Sequence, residues 1–138
     1  MYKMIITIFL TLFSLKAFCP TEKVIYIDQP DPINPFENVW NAVIKIESNG
    51  DPFAVGDKHL EEWSYGIGQI RKVRLDHYYD LTGIRYFEED MFDPAKSKEV
   101  FMFSAHKIGP YDMDRIIRGW NGSGPLTYRY LAKVKKHL

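Results

Sequence analysis

Apolar residues recur at three- and four-residue intervals through Val39, Trp40, Val43, Ile44 and Ile46. That spacing predicts an amphipathic helix from about residue 34 or 35 to about Asn49, where Ser48-Asn49-Gly50-Asp51-Pro52 stops it. Residues 50–65 are polar and turn-rich, with Trp63 and Tyr65 near their end, and read as a loop with short strand character. A second helix is expected to start between Gly66 and Ile70 and to end near Gly83, with Ile70, Val73, Tyr78 and Leu81 facing inward. The third helix is the best marked. Asp93 fits its N-cap, Pro94 its first position and Gly109 its stop, and Val100, Phe101 and residues 103–105 form its apolar side. Asp112 fits the cap of a short helix, the Asn-Gly-Ser-Gly-Pro run at 121–125 breaks it, and a last helix turns Tyr130, Leu131 and Val134 inward and its lysines outward. No stretch sustains an alternation of period two, so the fold class is mainly α.

One position departs from this pattern. Glu47 continues the apolar row, seven residues past Trp40 and four past Val43. It places a carboxylate on or beside the buried face at the C-terminal end of a helix, where the backbone dipole disfavours negative charge. Burial and dipole both raise the affinity of such a group for its proton. A carboxylic acid that stays protonated near neutral pH suits general acid catalysis at a glycosidic oxygen. The plain alternative is a carboxylate that points to solvent or pairs with Lys or Arg.

The first residues do not belong to the helical pattern. Lys3, the apolar run Met4–Leu15 and small residues near Ala17 and Cys19 follow the order of a secretory signal peptide. The run is shorter than the roughly 20 residues a spanning helix needs. Residues 1–19 therefore read as a cleaved signal, residues 20–34 as a proline-rich extended lead-in, and residues 35–138 as the domain. The expected location is the periplasm or the extracellular space. A lipid anchor at Cys19 is less favoured, because Lys-Ala-Phe-Cys matches a lipoprotein box poorly. Cys19 is the only cysteine, so no disulfide closes within the chain.

Composition adds little to this and charge a little more. The chain of 138 residues suits one domain with a real core, and its 15% aromatic content suits a packed interior or a ring-stacking groove. Formal charge is zero overall; without Lys3 and Lys16 the remainder carries sixteen basic and eighteen acidic groups, a net of −2. From Ser104 onward seven basic residues face two acids, a net of +5, which reads as a solvated helix surface or a face for an anionic partner. This balance excludes a nucleic-acid partner. His59, His77, His106 and His137 lack paired ligand spacing, so neither a metal nor another cofactor is expected. Gly-Ile-Gly-Gln-Ile lacks the strand and third glycine of a nucleotide loop, and no Gly-x-Ser-x-Gly elbow occurs.

Five pieces follow in order: Ile46-Glu47-Ser48-Asn49-Gly50-Asp51-Pro52-Phe53-Ala54-Val55, Ser64-Tyr65-Gly66-Ile67-Gly68-Gln69-Ile70, the third-helix segment, Trp120-Asn121-Gly122, and Thr127-Tyr128-Arg129-Tyr130. Together, over residues 36–136, they resemble the soluble-type lytic transglycosylases, a branch of the lysozyme-like superfamily related to goose-type lysozyme. The resemblance implies a lysozyme-like α-helical domain with a sugar groove. Glu47 matches the family's catalytic acid/base, and Ser48 the serine beside it. Gly66, Gln69 and Ile70 match Gly-Leu-Met-Gln-Ile, whose Gln lines the groove. Gly68 stands where that motif has Met, which implies less apolar wall against the sugar. Trp120, Asn121 and Gly122 match Tyr-Asn-x-Gly, with an indole in place of the phenol. Tyr130 matches the Tyr of Thr-x-x-Tyr-Val, whose hydroxyl lies close to the acid. The implied partner is the peptidoglycan glycan strand, cleaved between N-acetylmuramic acid and N-acetylglucosamine to leave 1,6-anhydro ends, by a monomer with no cofactor. Cell-envelope or secretion-machine partners are compatible with export. Two alternatives stand beside it. One is a lysozyme-like muramidase that draws a second acid from Asp57, Glu61 or Glu62; the other is a non-catalytic glycan-binding accessory protein.

Overall fold

The first helix, α1 (Glu37–Glu47), buries Val39, Trp40, Ala42 and Val43 and leaves Asn41 and Lys45 in water. The computed structural model describes residues 34–138; the signal-like segment and lead-in residues 20–33 lie outside the described residues. The Asn34 side chain accepts the Phe36 amide (3.0 Å) just before α1, and Glu37 in its first turn pairs with Lys98 (2.7 Å). α1 ends at Glu47, two residues earlier than its apolar spacing suggests. The Ser48 amide still bonds the Ile44 carbonyl, but Asn49 turns into the left-handed region (φ 55°) and the chain leaves the helix axis.

The turn-rich segment contains two short strands, β1 (Val55–Gly56) and β2 (Ser64–Tyr65), paired antiparallel with Val55 opposite Tyr65 and Gly56 opposite Ser64. Tyr65 also exchanges backbone hydrogen bonds with Ile70. That pairing closes residues 66–69 into a tight turn, so the second helix, α2 (Lys72–Thr82), begins later than expected. The later start changes its phase. Leu75 and Tyr78 face the core, whereas Val73 and Leu81, expected inward, are 63% and 48% exposed. Gly83 (φ 74°) ends α2 in the left-handed conformation that favours glycine.

A 3₁₀ turn at Glu88–Phe92, absent from the periodicity, leads into α3 (Pro94–Ile108). The Asp93 carboxylate accepts the Ala95 amide (2.8 Å) and Pro94 opens the helix. α4 (Met113–Asn121) is capped by Asp112, which accepts the Arg115 amide (2.9 Å). α5 (Leu126–Val134) continues into a 3₁₀ turn at Lys135–His137, with Tyr130, Leu131 and Val134 inward and the lysines exposed. The described residues are thus mainly α, five α-helices with one two-stranded sheet. Among them no helix is long and apolar enough to cross a membrane.

α1 packs against α4 and α5, and α4 also packs against α3. Trp40, Phe101 and Trp120 form the aromatic centre of the core, with Phe101 5.1 Å from each indole by ring centroid. No buried side-chain polar atom among the described residues lacks a hydrogen-bond partner. Trp40 thus ties α1 into the aromatic core, and Glu47, two turns further on, is the last residue of that helix.

Candidate functional site

Glu47 lies on the wall of an open cleft of about 610 Å³. The cleft lies between the β1–β2 hairpin, the start of α2 and the end of α4, and Asp57, Gln69, Arg71, Arg74, Trp120 and Asn121 line it with Glu47. The residue as a whole is half-buried, but its carboxyl is largely withdrawn from water. Burial is the main cause that lifts its proton affinity above the ordinary glutamate range, and the negative charge of Asp57 adds to it. The Tyr130 hydroxyl, which donates to Glu47 Oε1 at 2.5 Å, and the cations Arg74 and Arg71 pull the other way without cancelling it. Tyr130 itself is buried, and that burial together with the Glu47 carboxylate raises its phenol well above the usual range. It therefore stays a hydrogen-bond donor at any working pH.

Each of the other expected site residues has a definite place. Ser48 does not line the cleft. Its hydroxyl donates to the Ile67 carbonyl (2.8 Å) and accepts the Gly50 amide (3.2 Å), tying the end of α1 to the 66–70 turn and fixing where Glu47 leaves the helix. Gln69 lines the cleft, but its amide is almost fully engaged. Nε2 donates to the Ala54 and Gly66 carbonyls (3.2 and 2.9 Å), and Oε1 accepts from Ser64 (2.8 Å). Those three bonds hold Gln69 at φ 50°, a conformation most residues avoid. What remains for a ligand is one lone pair of Oε1. Ile70 is 1% exposed, a core residue outside the cleft lining. Asn121 is exposed on the cleft, with both ends of its amide available.

Trp120 serves both core and cleft. Its indole N–H donates to the Gly68 carbonyl (3.2 Å), and the residue also lines the cleft. This explains Gly68. A Cβ there would stand 3.2 Å from the Trp40 ring and 3.4 Å from the Trp120 ring. The two indoles thus close over the space that a side chain at position 68 would use. The thinner wall expected from glycine is filled by tryptophan.

Of the three acids in the 57–62 loop, only Asp57 reaches the cleft; Glu61 and Glu62 line a separate hollow with Trp63. Asp57 Oδ2 takes both Nε and Nη2 of Arg71 (3.0 and 2.7 Å). Burial pushes the Asp57 proton affinity up, but the hydrogen bonds and positive charge of Arg71 outweigh it and hold Asp57 below the usual aspartate range. The cleft therefore offers one acid that tends to keep its proton and one that tends to lose it.

Arg71 and Arg74 were invisible as site residues in the periodicity, where Ile70-Arg71-Lys72-Val73-Arg74 reads only as a helix start. Their three-residue spacing, one helical turn, was the available signal. Arg74 stacks on the Trp120 ring (4.2 Å to the centroid), and its Nη2 donates to the Trp120 and Gly119 carbonyls (2.7 and 3.2 Å), which caps the end of α4. Trp63, Tyr65 and Tyr128 do not line the cleft; Tyr128 packs under the Arg118 guanidinium (3.8 Å). Among the described residues no three His, Cys, Asp or Glu side chains converge so as to hold a metal ion. No protein-family model matches the chain, and comparison with curated proteins and with solved structures gives no match.

Proposed function

We propose that this protein is a peptidoglycan-cleaving enzyme of the lytic transglycosylase type, built on a lysozyme-like helical domain and acting outside the cytoplasm. The observation that carries the reading is Glu47: a desolvated carboxyl with raised proton affinity, bonded by Tyr130, on the wall of an open cleft. Protonated Glu47 donates to the glycosidic oxygen between N-acetylmuramic acid and N-acetylglucosamine. Glu47, now ionised, accepts the proton of the muramoyl C6 hydroxyl as that oxygen bonds to the anomeric carbon. The bond to the leaving sugar breaks, a 1,6-anhydro end forms, and no water enters. Tyr130 donates to the carboxylate while it is charged. Gln69 offers an acceptor and Asn121 both a donor and an acceptor to sugar hydroxyl and acetamido groups in the cleft that Trp120 also lines.

Asp57 favours a second reading. Ionised in the same cleft, it has the state a general base needs to activate water, as in an inverting hydrolase. Against that role, Arg71 engages one of its oxygens twice. In the transglycosylase reading Asp57 acts only through its charge, which helps Glu47 keep its proton.

Product analysis tests both. Purified cell wall digested by the protein is expected to yield anhydro-muramoyl ends without new reducing ends; reducing ends alone would replace the first reading with hydrolysis. Glu47→Gln should lose cleavage by about two to four orders of magnitude, the usual worth of a general acid, and keep glycan binding. Equal lysis by both proteins would remove Glu47 from the chemistry. No lysis by either, with glycan still bound, would leave a non-catalytic binding protein.

A further inference from the structure

Two arginines line the Glu47 cleft, and they differ in one respect. Arg71 is neutralised by Asp57, which takes two of its N–H groups (3.0 and 2.7 Å). Arg74, one helical turn further along α2, is half-buried with its guanidinium largely withdrawn from water. Yet among the described residues it forms no ion pair. A desolvated cation without a carboxylate is costly. The fold nevertheless holds this one in place. Its guanidinium lies over the Trp120 ring (4.2 Å to the centroid), and Nη2 donates to the Trp120 and Gly119 carbonyls (2.7 and 3.2 Å). The Trp120 indole bonds in turn to the Gly68 carbonyl, and the adjacent Ile67 carbonyl accepts the hydroxyl of Ser48, next to Glu47. Contacts thus run from Arg74 through Trp120 and the 66–70 turn to the residue beside the acid. Capping α4 does not by itself call for a charge, since neutral donors or water satisfy helix-end carbonyls as well.

We propose that Arg74 is a positioning residue that acts through Glu47: its charge balances the carboxylate once the acid has given up its proton, and Trp120 and the α4 carbonyls hold that charge in place. The assignment rests on the glycan-cleaving reading, in which Glu47 must be ionised for part of each turnover. Four groups act on its carboxyl from the surrounding elements: Tyr130 from α5, Asp57 from the hairpin, and Arg71 and Arg74 from α2. α4 brings only the neutral Trp120 and Asn121 to the cleft, the 66–70 turn brings the neutral Gln69, and His77 follows Arg74 by three residues. Tyr130 is an uncharged donor, and the charges of Asp57 and Arg71 oppose each other on Glu47. Arg74 is therefore the positive charge that no neighbour cancels. It is not in ion-pair contact with Glu47, so it leaves the carboxyl free to face a sugar and acts through space, where withdrawal from water strengthens it. An arginine suits this place because it keeps its proton when buried, whereas a buried lysine loses its own more readily.

Two variants separate the charge from the cap. Arg74→Gln removes the charge and keeps N–H donors for the α4 carbonyls; Arg74→Lys keeps the charge and loses the planar face against Trp120. Cleavage of purified cell wall across pH gives kcat and KM. Carbon NMR of the side-chain carboxyls follows Glu47 itself, its signal assigned by its loss in Glu47→Gln. Arg74→Gln should lower kcat about ten- to fiftyfold, the worth of one charge several ångströms away in a partly desolvated site. It should leave KM nearly unchanged, because Glu47 and not the bound sugar feels the loss. Both the Glu47 titration and the alkaline limb of kcat/KM should move to higher pH, and Arg74→Lys should bring each part of the way back. A raised KM with both pH midpoints unmoved would make Arg74 a cap alone and overturn the assignment. So would an Arg74→Lys protein no nearer the parent than Arg74→Gln. If Arg74→Gln does not fold, the same substitution is made in Glu47→Gln: folding restored there upholds the pairing, and failure in both backgrounds overturns it. Native protein that cuts no strand, while the Glu47 titration still follows the charge at position 74, would sink the cleavage reading and leave the coupling standing. Cleavage with a titration indifferent to that charge would do the reverse.

Discussion

Gly68 provides a quantitative test of how the cleft wall is built. Replacing it by Met restores the residue that the resembling family carries. Position 68 has no positive φ, so the backbone tolerates a side chain and the penalty is steric alone. The new Cβ would meet Trp40 at 3.2 and 3.3 Å and Trp120 at 3.4 Å. Trp40 is 4% exposed and backed by Phe101, so its ring has little room to retreat. Forcing extra atoms into such a place costs about 1–3 kcal/mol. For a domain of this size that lowers Tm by roughly 5–20 °C. Trp120→Tyr alone removes part of a buried ring and the indole bond to the Gly68 carbonyl, worth about 1 kcal/mol. The double variant should recover part of both losses, because the smaller phenol vacates space beside residue 68. We expect a favourable coupling of about 1 kcal/mol or more in a double-mutant cycle. Urea unfolding of the four proteins, with thermal melts alongside, measures it. Strict additivity, or a Gly68→Met protein as stable as its parent, would refute the idea that Trp120 and position 68 share one space.

Four further outcomes follow from the site. Glu47→Gln should be more stable than the parent at pH 7. The raised proton affinity means that ionised Glu47 opposes folding above the ordinary glutamate range, so the advantage should shrink as pH falls and vanish below that range in melts run from pH 7 to pH 3. Tyr130→Phe removes a donor that stabilises the carboxylate, so the alkaline limb of the kcat/KM profile should move to higher pH; a limb that stays put would mean another group titrates there. Asp57→Asn removes a neighbouring negative charge and should move the same limb to lower pH while keeping most of the rate, whereas a fall of two or more orders of magnitude would favour hydrolysis. Gly66→Ala places a methyl against the Met91 backbone carbonyl at φ 71° and should cost about 3 kcal/mol or more, read as a Tm drop above roughly 10 °C.

Helices α1, α3, α4 and α5 were legible in the sequence because local chemistry marks their ends: Asp93 and Asp112 cap helices, and Gly109 follows α3. The start of α2 was not. Residues 66–70 have a helix-compatible pattern, but the Tyr65–Ile70 pairing and the three bonds of Gln69 override it, and none of these is visible in periodicity. The displaced start turned Val73 and Leu81 outward. Within the site, Glu47 stood out because it broke an apolar row. Tyr130 was named only through family resemblance, and no local rule connects it with Glu47. Arg74 left no comparable mark, since its role depends on stacking against a ring 46 residues away.

The bond between Glu47 and Tyr130 joins residues 83 positions apart. The carboxyl closes the first helix of the described chain, and the hydroxyl comes from the last. No N-terminal fragment that stops before Tyr130 can assemble the pair, however well its own helices form. A chain still being made therefore holds a half-built centre until α5 docks against α1. Truncation before residue 126 should leave Glu47 without its partner and without the wall that withdraws it from water. The pair therefore forms only after residues 126–134 have been made and docked, so the order of synthesis delays it relative to the helices that precede it.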